Sequence, residues 1–404
     1  MYNTIFFFKK NYLEIFVFFL IFLLLSHYVY QANKFSYLNN GWLIGDWLIN
    51  YEGGFVRRGL AGEFFLLLNK YLNIELNRLV FYFQFLIALI FFTFCFFYIT
   101  NVKLDIFLIC LIFSPTILMF SFYDAFMNSR KEILIYVIFL TLIFLIKNNI
   151  TNKIVVSLYI IFSAVILPLI TEIIIFYLPY FYLLIKINKN YNNVFFSKIV
   201  IAQLILTITI ILCSLTFGSK INSDEICKII LERQGEYNLC LGVISDDRQS
   251  FLEIISFNLN RYSNYSYYKH YLLSFLITTF LINIYLYLSN LKNFLIRFNV
   301  YLIFLFVFSA PLFILATDWG RWINIHFILI MFLLIFLKIN NYKGINEFNI
   351  SLTKRNIYIF FIFLFFSFSW NSWNCCPNIQ SSNIFFLGGG IYERVDTLIF
   401  KILN

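Results

Sequence analysis

The densest group of charged side chains in this hydrophobic chain is the segment NYEGGFVRRGLAGEFF, residues 50–65. Its adjacent arginines, Arg57 and Arg58, could bind a diphosphate in a bidentate manner. The glycines around them permit a tight turn into a helix, where main-chain N–H groups are available to an anion. Asp46 and Glu52 precede the arginines and are candidate general bases. The alternative is an ion-pair network that only orients the segment, although surface pairs contribute little stability.

A second such segment is TDWGRW, residues 317–322, which joins two apolar runs. Asp318 and Arg321 can pair, and Asp318 could thereby orient the arginine or an acceptor hydroxyl group. Trp319 and Trp322 offer broad faces with a polar edge, which suit the apolar faces of sugar rings. The alternative is a tight turn that tryptophan anchors at the membrane boundary.

Three other places hold candidate binding residues. Glu172 lies in the apolar sequence LPLITEIIIFYLPYF, where an ionisable side chain requires a polar cavity, a cationic partner or a position at the membrane interface. Asp124 and Arg130 belong to YDAFMNSRKE, where opposite charges at helical spacing would equally suit an ordinary loop. Trp47 follows Asp46 in the tripeptide GDW and could contact a sugar ring.

Membrane-spanning helices must position these residues. Of the 404 residues, 61% are hydrophobic and 12% are charged, against about 25% charged in soluble domains. Eleven apolar runs of spanning length predict an all-α polytopic bundle, with residues 1–404 as a single membrane domain. Residues 154–187 could instead form one helix kinked at Pro168 and a re-entrant piece. The runs are 12–30, 79–100, 104–122, 133–147, 154–169, 171–187, 199–217, 269–290, 299–317, 322–338 and 357–372.

The distribution of charge predicts the orientation of the bundle. With the N-terminus in the cytoplasm, the inner segments carry 14 Lys and Arg against 3 acidic residues, and the outer segments carry 16 against 17, which accounts for the net charge of +10. This asymmetry follows the positive-inside rule and places the C-terminus outside. The excess positive charge is therefore a topology signal, and nucleic acid is not an expected partner.

The same orientation places every charge-dense segment on the outer face. The first outer loop, residues 31–78, contains a predicted amphipathic surface helix at GLAGEFFLLLNKYL. A long loop at 218–268 and a tail at 373–404 are also predicted outside. All six tryptophans lie on this side, whereas a simple aromatic belt would mark both faces. We therefore expect the first loop and TDWGRW to line one polar cavity.

Cysteine and histidine usage bounds the remaining chemistry. None of the seven cysteines has zinc-type spacing with any of the three histidines, so no metal ligands are assigned. The chain also lacks a GxxxxGK[ST] and an HExxH motif. Cys227 and Cys240 lie in the long outer loop, where an oxidising compartment allows a disulfide. Closing a loop of about a dozen residues would stabilise it by roughly 3 kcal/mol in the chain-entropy model.

The layout of the chain resembles that of the GT-C glycosyltransferases, with many spans, an internal N-terminus and an aspartate in a first outer loop that carries a surface helix. Those enzymes use polyprenyl-phosphate sugars at the outer face, which implies Asp46, and next Glu52, as the catalytic carboxylate. The long outer loop with scattered arginines is similar to that of bacterial O-antigen and capsule polymerases. GFVRRGL and DWGRW resemble segments of membrane proteins from polysaccharide gene clusters. The chain departs from many GT-C enzymes in lacking a soluble C-terminal domain and a clear DxD motif. Because the DxD motif is missing, the sequence leaves open whether the protein requires a divalent cation.

The resemblance implies a glycosyltransferase of the bacterial inner membrane that acts on oligosaccharide carried by undecaprenyl diphosphate, in O-antigen or capsule synthesis. Its expected partners are that glycan, membrane lipid and a chain-length regulator protein. Two alternatives stay open, a flippase or transporter of the same glycan and an enzyme that adds single sugars from polyprenyl-phosphate donors. A transporter would show polar residues at mid-membrane in both halves, often with an internal repeat. A third alternative is a non-catalytic assembly scaffold.

Overall fold

All regular secondary structure in the part of the chain that the computed structural model describes is helical, in agreement with the all-α prediction. Six helices are long and apolar enough to cross a membrane, namely Tyr12–Tyr37, Leu76–Thr100, Phe195–Ser214, Tyr271–Leu288, Leu295–Leu315 and Trp319–Ile339. The chain is therefore a helical membrane protein. The described residues are 2–124, 130–148, 153–188, 194–217, 223–233, 235–246, 253, 255–256, 258–260, 267–289, 292–340 and 356–370.

Most of the long helices overlap predicted apolar runs, although their bounds often differ. The first eight helices are α1 (Tyr2–Tyr37), α2 (Gly59–Leu72), α3 (Leu76–Thr100), α4 (Ile106–Ile112), α5 (Phe120–Tyr123), α6 (Ile133–Lys147), α7 (Lys153–Ile170) and α8 (Leu178–Ile187). The next are α9 (Val194–Phe217), α10 (Ser223–Glu232), α11 (Val243–Asp246), α12 (Tyr267–Leu288), α13 (Lys292–Ser309), α14 (Leu312–Leu315), α15 (Trp319–Ile339) and α16 (Ile357–Ser369). Short 3-10 segments cover Gly45–Leu48, Glu172–Tyr177 and Tyr237–Cys240.

Three of the predicted spans are interrupted near proline. The run 104–122 forms only α4 and α5, with Pro115 in the turn between them. The run 171–187 is a 3-10 segment followed by α8, which has Pro179 in its first turn. Pro311 separates α13 from α14. Proline lacks a main-chain donor and its ring clashes with the preceding turn, so a continuous helix is not favoured at these points.

The contacts within the chain divide it into two compact units. The first unit comprises Met1–His27, Phe92–Met127 and Ile255–Asn404, and the second comprises Tyr28–Phe91 and Asn128–Ile254. Each unit is described by itself. The prediction of one polytopic membrane domain stays a prediction.

In the first unit, α15 is buried along most of its length and contacts the turn between α4 and α5. Asn324 of this helix donates hydrogen bonds from Nδ2 to the main-chain oxygens of Thr116, at 3.0 Å, and Ile117, at 2.8 Å. The Thr116 and Thr278 hydroxyl groups lie 2.8 Å apart. These contacts satisfy polar groups in an apolar interior, where unpaired carbonyl groups would be costly.

A buried ionic chain connects the other end of α15 to the start of α4. Lys338 Nζ donates to the Tyr285 hydroxyl at 2.7 Å, and that hydroxyl donates to Asp105 Oδ2 at 3.2 Å. Asp105 also caps α4, because its Oδ1 accepts the main-chain N–H of Leu108 at 2.9 Å. The pairing lets a lysine and an aspartate remain inside an apolar bundle.

In the second unit, the loop before α2 folds back onto that helix. Gly62 lets the helix backbone approach the carbonyl oxygen of Ile49, where a Cβ atom would clash. Trp47 is fully buried and packs edge-on against Phe65 of α2. This close packing fixes the 3-10 segment that contains Asp46 beside the start of α2.

Candidate functional site

Arg58, the residue before the first turn of α2, is the centre of a charged cluster in the second unit. Its φ angle of +63° lies in the left-handed region, which non-glycine residues adopt rarely and mostly where the surroundings enforce it. Nε donates to both carboxylate oxygens of Glu172, at 2.9 and 2.7 Å, and Nη2 donates to Oε1 at 2.5 Å. Nη1 lies 3.4 Å from Asp46 Oδ1. One guanidinium group thus joins two carboxylates that are distant in the sequence.

Lys131 contacts the same aspartate from the buried side of the cluster. Its Nζ lies 3.7 Å from Asp46 Oδ1, and the two side chains are 2% and 6% exposed. Nζ also donates to the main-chain oxygen of Arg58 at 3.4 Å. The cation lies 5.9 Å from the centre of the Trp47 ring. Lys131 therefore supports both the carboxylate of Asp46 and the left-handed backbone of Arg58.

Arg57 is the most exposed cation of the cluster. Its Nη1 lies 3.6 Å from Glu172 Oε1, and 32% of its side chain is exposed. Arg58 and Glu172 are less accessible, at 24% and 20%. The accessible edge of the cluster is therefore rich in guanidinium groups, while Asp46 and Lys131 lie behind it.

Burial and neighbouring charges shift the pKa values of two members. Burial lowers the pKa of Lys131, with the Asp46 charge opposing this shift and the Arg58 charge adding to it. Burial alone would raise the pKa of Glu172, but the charge and hydrogen bonds of Arg58, together with Arg57, hold that pKa well below its ordinary value. Glu172 is therefore an ionised partner of the arginines at neutral pH and not a proton donor.

An aromatic pair flanks the two arginines. The Tyr51 and Phe55 rings stack with their centres 5.4 Å apart, and Phe55 is exposed. Gly59 leaves space for the Tyr51 ring at the start of α2. The Tyr51 hydroxyl has no hydrogen-bond partner among the described residues. Burial and the Glu63 charge raise the pKa of Tyr51 to about 12, so this hydroxyl stays protonated and can donate a hydrogen bond.

The predicted segment TDWGRW, in the first unit, forms its own ion pair. Arg321 Nη2 lies 2.5 Å from Asp318 Oδ2, and the guanidinium lies 4.2 Å from the centre of the Trp322 ring. Trp319 donates its indole N–H to the main-chain oxygen of Phe313 at 2.8 Å. Trp322 is buried, and the face of its ring contacts the Arg321 guanidinium. That this segment and the first loop line one cavity stays a prediction.

The other candidate residues are placed less centrally. Glu52 is exposed and makes no ion pair within the described residues. Arg130 donates from Nη1 to the main-chain oxygen of Trp42 at 3.3 Å. Asp124 ends α5 in the first unit. Trp47 is fully buried, so its ring supports Lys131 and is not accessible for stacking on a sugar.

Lys131 belongs to the predicted segment YDAFMNSRKE, but its pairing with Asp46 was not predicted, and Tyr51 was not among the sequence candidates. Lys131 stands next to Arg130 and two residues before the apolar helix α6. A lysine at the border of an apolar run requires an acidic partner if it is buried, and this was the available signal. The position of Tyr51 depends on the close approach of Gly59, which hydrophobic patterning does not report.

Part of the loop at 218–268, which the sequence predicts to be outside, packs as a disulfide-bonded segment. Cys227 in α10 and Cys240 in the 3-10 segment Tyr237–Cys240 form a disulfide with their Cα atoms 5.5 Å apart. Cys95, Cys110 and Cys213 are free thiols. Trp373, Cys375 and Cys376, with the rest of the predicted tail at 373–404, lie outside the described residues.

Neither a metal site nor a known relative identifies the cluster. The part of the chain that the structure describes contains no group of three or more His, Cys, Asp or Glu side chains placed to hold a metal ion. No protein-family model, curated protein or solved structure matches this chain. The arguments for function therefore come from the chemistry of the cluster itself.

Proposed function

We propose that the protein is a membrane glycosyltransferase of the polysaccharide-polymerase type, acting on undecaprenyl-diphosphate-linked oligosaccharide at the outer face of the bacterial inner membrane. The observation that carries the proposal is the Arg58-centred cluster, in which Arg57 and Arg58 form an accessible edge in front of Asp46. Guanidinium groups are suited to a diphosphate, and a carboxylate beside them is suited to activate a hydroxyl group. O-antigen or capsule synthesis is the process that such an enzyme would serve.

In the proposed reaction, Asp46 accepts the proton of an acceptor hydroxyl group while the oxygen of that hydroxyl attacks the anomeric carbon of the donor sugar. The bond between that carbon and the diphosphate oxygen breaks, and the leaving diphosphate takes the electron pair. Arginine stabilises the negative charge that develops there. Glu52 and Asp318 are the other candidate bases, with Arg321 and Trp319 as candidate acceptor contacts. The Trp322 ring is buried, as that of Trp47 is, and supports Arg321 instead of contacting a sugar.

The two adjacent arginines have different proposed roles. Arg58 is occupied by Glu172 through three short hydrogen bonds, so its main role is to hold the two carboxylates in place. Arg57 is more exposed and has a longer contact with Glu172, at 3.6 Å, so it is the better candidate to engage the diphosphate.

The proposed membrane arrangement retains eleven passes, with the N-terminus in the cytoplasm and the C-terminus in the periplasm. The apolar helices α6, α7 and α16, which are shorter than the six long spans, would supply three of these passes. α2 would lie along the outer membrane surface, because Phe64, Leu67 and Tyr71 are exposed at helical spacing on one side of it. This places the arginines at the water–lipid boundary, where a lipid diphosphate resides.

A transporter or flippase for the same lipid-linked glycan is the second candidate function. The observation that favours it is the interrupted segment of α4 and α5 in the first unit, where Asn324 and Thr278 supply buried polar contacts. Discontinuous helices of this kind form substrate sites in transporters. An enzyme that adds single sugars from polyprenyl-phosphate donors is the third.

Reconstitution in proteoliposomes separates the three functions. The purified protein is given undecaprenyl-diphosphate oligosaccharide, and the lipid-linked products are sized by mass spectrometry. A polymerase yields products longer by whole repeat units, and Asp46→Asn slows their formation about a hundredfold, to a small residual rate. Transfer of label across the bilayer without a new glycosidic bond supports the transporter, and products that require a monosaccharide polyprenyl-phosphate donor support the third function. Parallel reactions with a metal chelator test whether the activity requires a divalent cation. Addition of a chain-length regulator protein tests whether that partner changes the product length.

A further inference from the structure

The disulfide-bonded segment packs directly on the turn that precedes Asp46. It comprises residues 223–233 and 235–246. A Cβ atom on Gly41 would collide with the main-chain oxygen of Leu241 and lie 2.6 Å from that of Asn238. A Cβ atom on Gly45 would collide with the main-chain oxygen of Leu239. The two glycines therefore permit a contact between main chains that any larger residue would prevent.

The opposite side of this contact also depends on glycine. Gly242 has a φ angle of +92°, and a Cβ atom there would lie 2.9 Å from the main-chain nitrogen of Trp42. The Ser245 hydroxyl bonds to both the N–H and the carbonyl group of Gly242, at 3.1 and 2.9 Å, which fixes this turn. Both surfaces of the contact are thus built from main-chain atoms with little freedom to adjust.

The disulfide segment is cross-linked next to the residues that contact Gly41 and Gly45. The Cys227–Cys240 bond joins α10 to the 3-10 segment whose carbonyl groups face Gly41 and Gly45. Ile230 and Leu239 are fully buried inside the segment. The disulfide therefore determines where those carbonyl groups lie.

Asp46 projects from the main chain that this contact holds, and its carboxylate faces two cations of the cluster. Arg58 Nη1 lies 3.4 Å and Lys131 Nζ 3.7 Å from Oδ1. Gly45 precedes it directly in the 3-10 segment Gly45–Leu48, so the contact between Gly45 and Leu239 fixes the main chain from which the carboxylate projects. We infer that the disulfide segment and the two glycines, Gly41 and Gly45, position Asp46 to accept a proton from the acceptor hydroxyl. The catalytic part of this inference rests on the proposed function.

Amide hydrogen exchange tests the structural part in the full-length protein. Dithiothreitol donates two electrons and two protons to the Cys227–Cys240 bond and becomes its own cyclic disulfide. We expect exchange in residues 41–48 to accelerate at least tenfold on reduction, with α3 unchanged and full reversal on reoxidation. The Cys227→Ser, Cys240→Ser double variant should show the fast exchange without reductant, and Cys213→Ser should behave as the wild type does. Unchanged exchange in residues 41–48 would overturn the inference.

The activity arm distinguishes positioning from general stability. If oxidised wild type forms product, reduction should lower kcat at least tenfold with the KM for the lipid-linked donor changed less than twofold. In the Asp46→Asn background, reduction should change the residual rate by less than twofold, because the positioned group is absent. An equal loss in both backgrounds would overturn the inference. If oxidised wild type forms no product, the proposed function fails, and the exchange measurement alone decides the inference.

Discussion

Arg58 and Glu172 are 114 positions apart in the chain and form short ion-pair contacts, with Nε 2.9 and 2.7 Å from the two carboxylate oxygens. The contact joins the start of α2 to the 3-10 segment after α7, both within the second unit. It therefore anchors the loop that contains Asp46 to the helical part of that unit.

Glu172→Gln should destabilise the protein and reduce its activity. The neutral amide loses the charge that balances Arg57 and Arg58, and we expect a loss of about 2 kcal/mol in the free energy of unfolding, below the value for a fully buried pair because both partners are partly exposed. Denaturant unfolding in detergent measures it. The matched control is Glu232→Gln, which removes an exposed pair with Lys228 at 3.9 Å and should change stability by less than about 0.5 kcal/mol. Equal effects of the two changes would contradict the prediction.

The stabilising effect of Glu172 should depend on pH in the acidic range. Its pKa in the folded protein lies below the ordinary value of 4.5, so the unfolded chain binds the proton more readily. The contribution is therefore fully present above the unfolded pKa and is lost as pH falls through the folded pKa. The difference in unfolding free energy between wild type and Glu172→Gln should be constant from pH 8 to about pH 5 and shrink below about pH 4.5. A difference that grows on acidification would contradict the assigned direction.

Lysine substitutions should separate the roles of the adjacent arginines. Arg57→Lys should raise the KM for a diphosphate substrate about tenfold or more while leaving expression and unfolding unchanged, because a point charge does not replace a bidentate donor. Arg58→Lys should lower the unfolding midpoint as well, because it loses several contacts with Glu172 and Asp46. Paired thermal unfolding and product assays measure both. The assignment fails if Arg57→Lys is the more destabilising change.

Much of the helical layout could be predicted from the sequence. The run 133–147 coincides with α6, and 79–100 lies within α3, because long apolar segments must form helices in a bilayer. Pro115 is a sequence signal for the break between α4 and α5, but the contact that satisfies the carbonyl groups of this turn could not be predicted, because they bind Asn324 from a distant part of the chain. Apolar patterning reports length and not such contacts.

The types of residues that form the site could be predicted from the sequence, but the pairs that they form could not. The need for a cationic partner of Glu172 followed from its apolar surroundings, but the choice of Arg58 follows from how α2 begins and is not encoded in local spacing. Lys131 is the clearest case, since its burial beside Trp47 only becomes evident in the folded unit. Trp47 itself was expected to contact a sugar and is instead part of the core.

Reporter fusions should confirm the orientation. The charge asymmetry of the loops predicts that residue Lys153 is cytoplasmic and Arg248 is periplasmic. Alkaline phosphatase fused after Arg248 should therefore be active and after Lys153 inactive, and a cytoplasmic reporter should give the reverse pattern. The same signal at both positions would contradict the predicted topology.

Replacement of Lys131 should show that the site requires a buried lysine and not merely a positive charge. Lys131→Met keeps the length of the side chain but removes the buried positive charge beside Asp46, so product formation should fall about a hundredfold, as for loss of roughly 3 kcal/mol of transition-state stabilisation. Lys131→Arg restores the charge, yet the side chain is 2% exposed and the larger guanidinium should overpack the space beside Trp47, at a cost of about 1–3 kcal/mol in stability. Unfolding measurements and product assays on both variants distinguish the two effects. Full activity of Lys131→Arg would show that charge alone is sufficient, and full activity of Lys131→Met would remove Lys131 from the site.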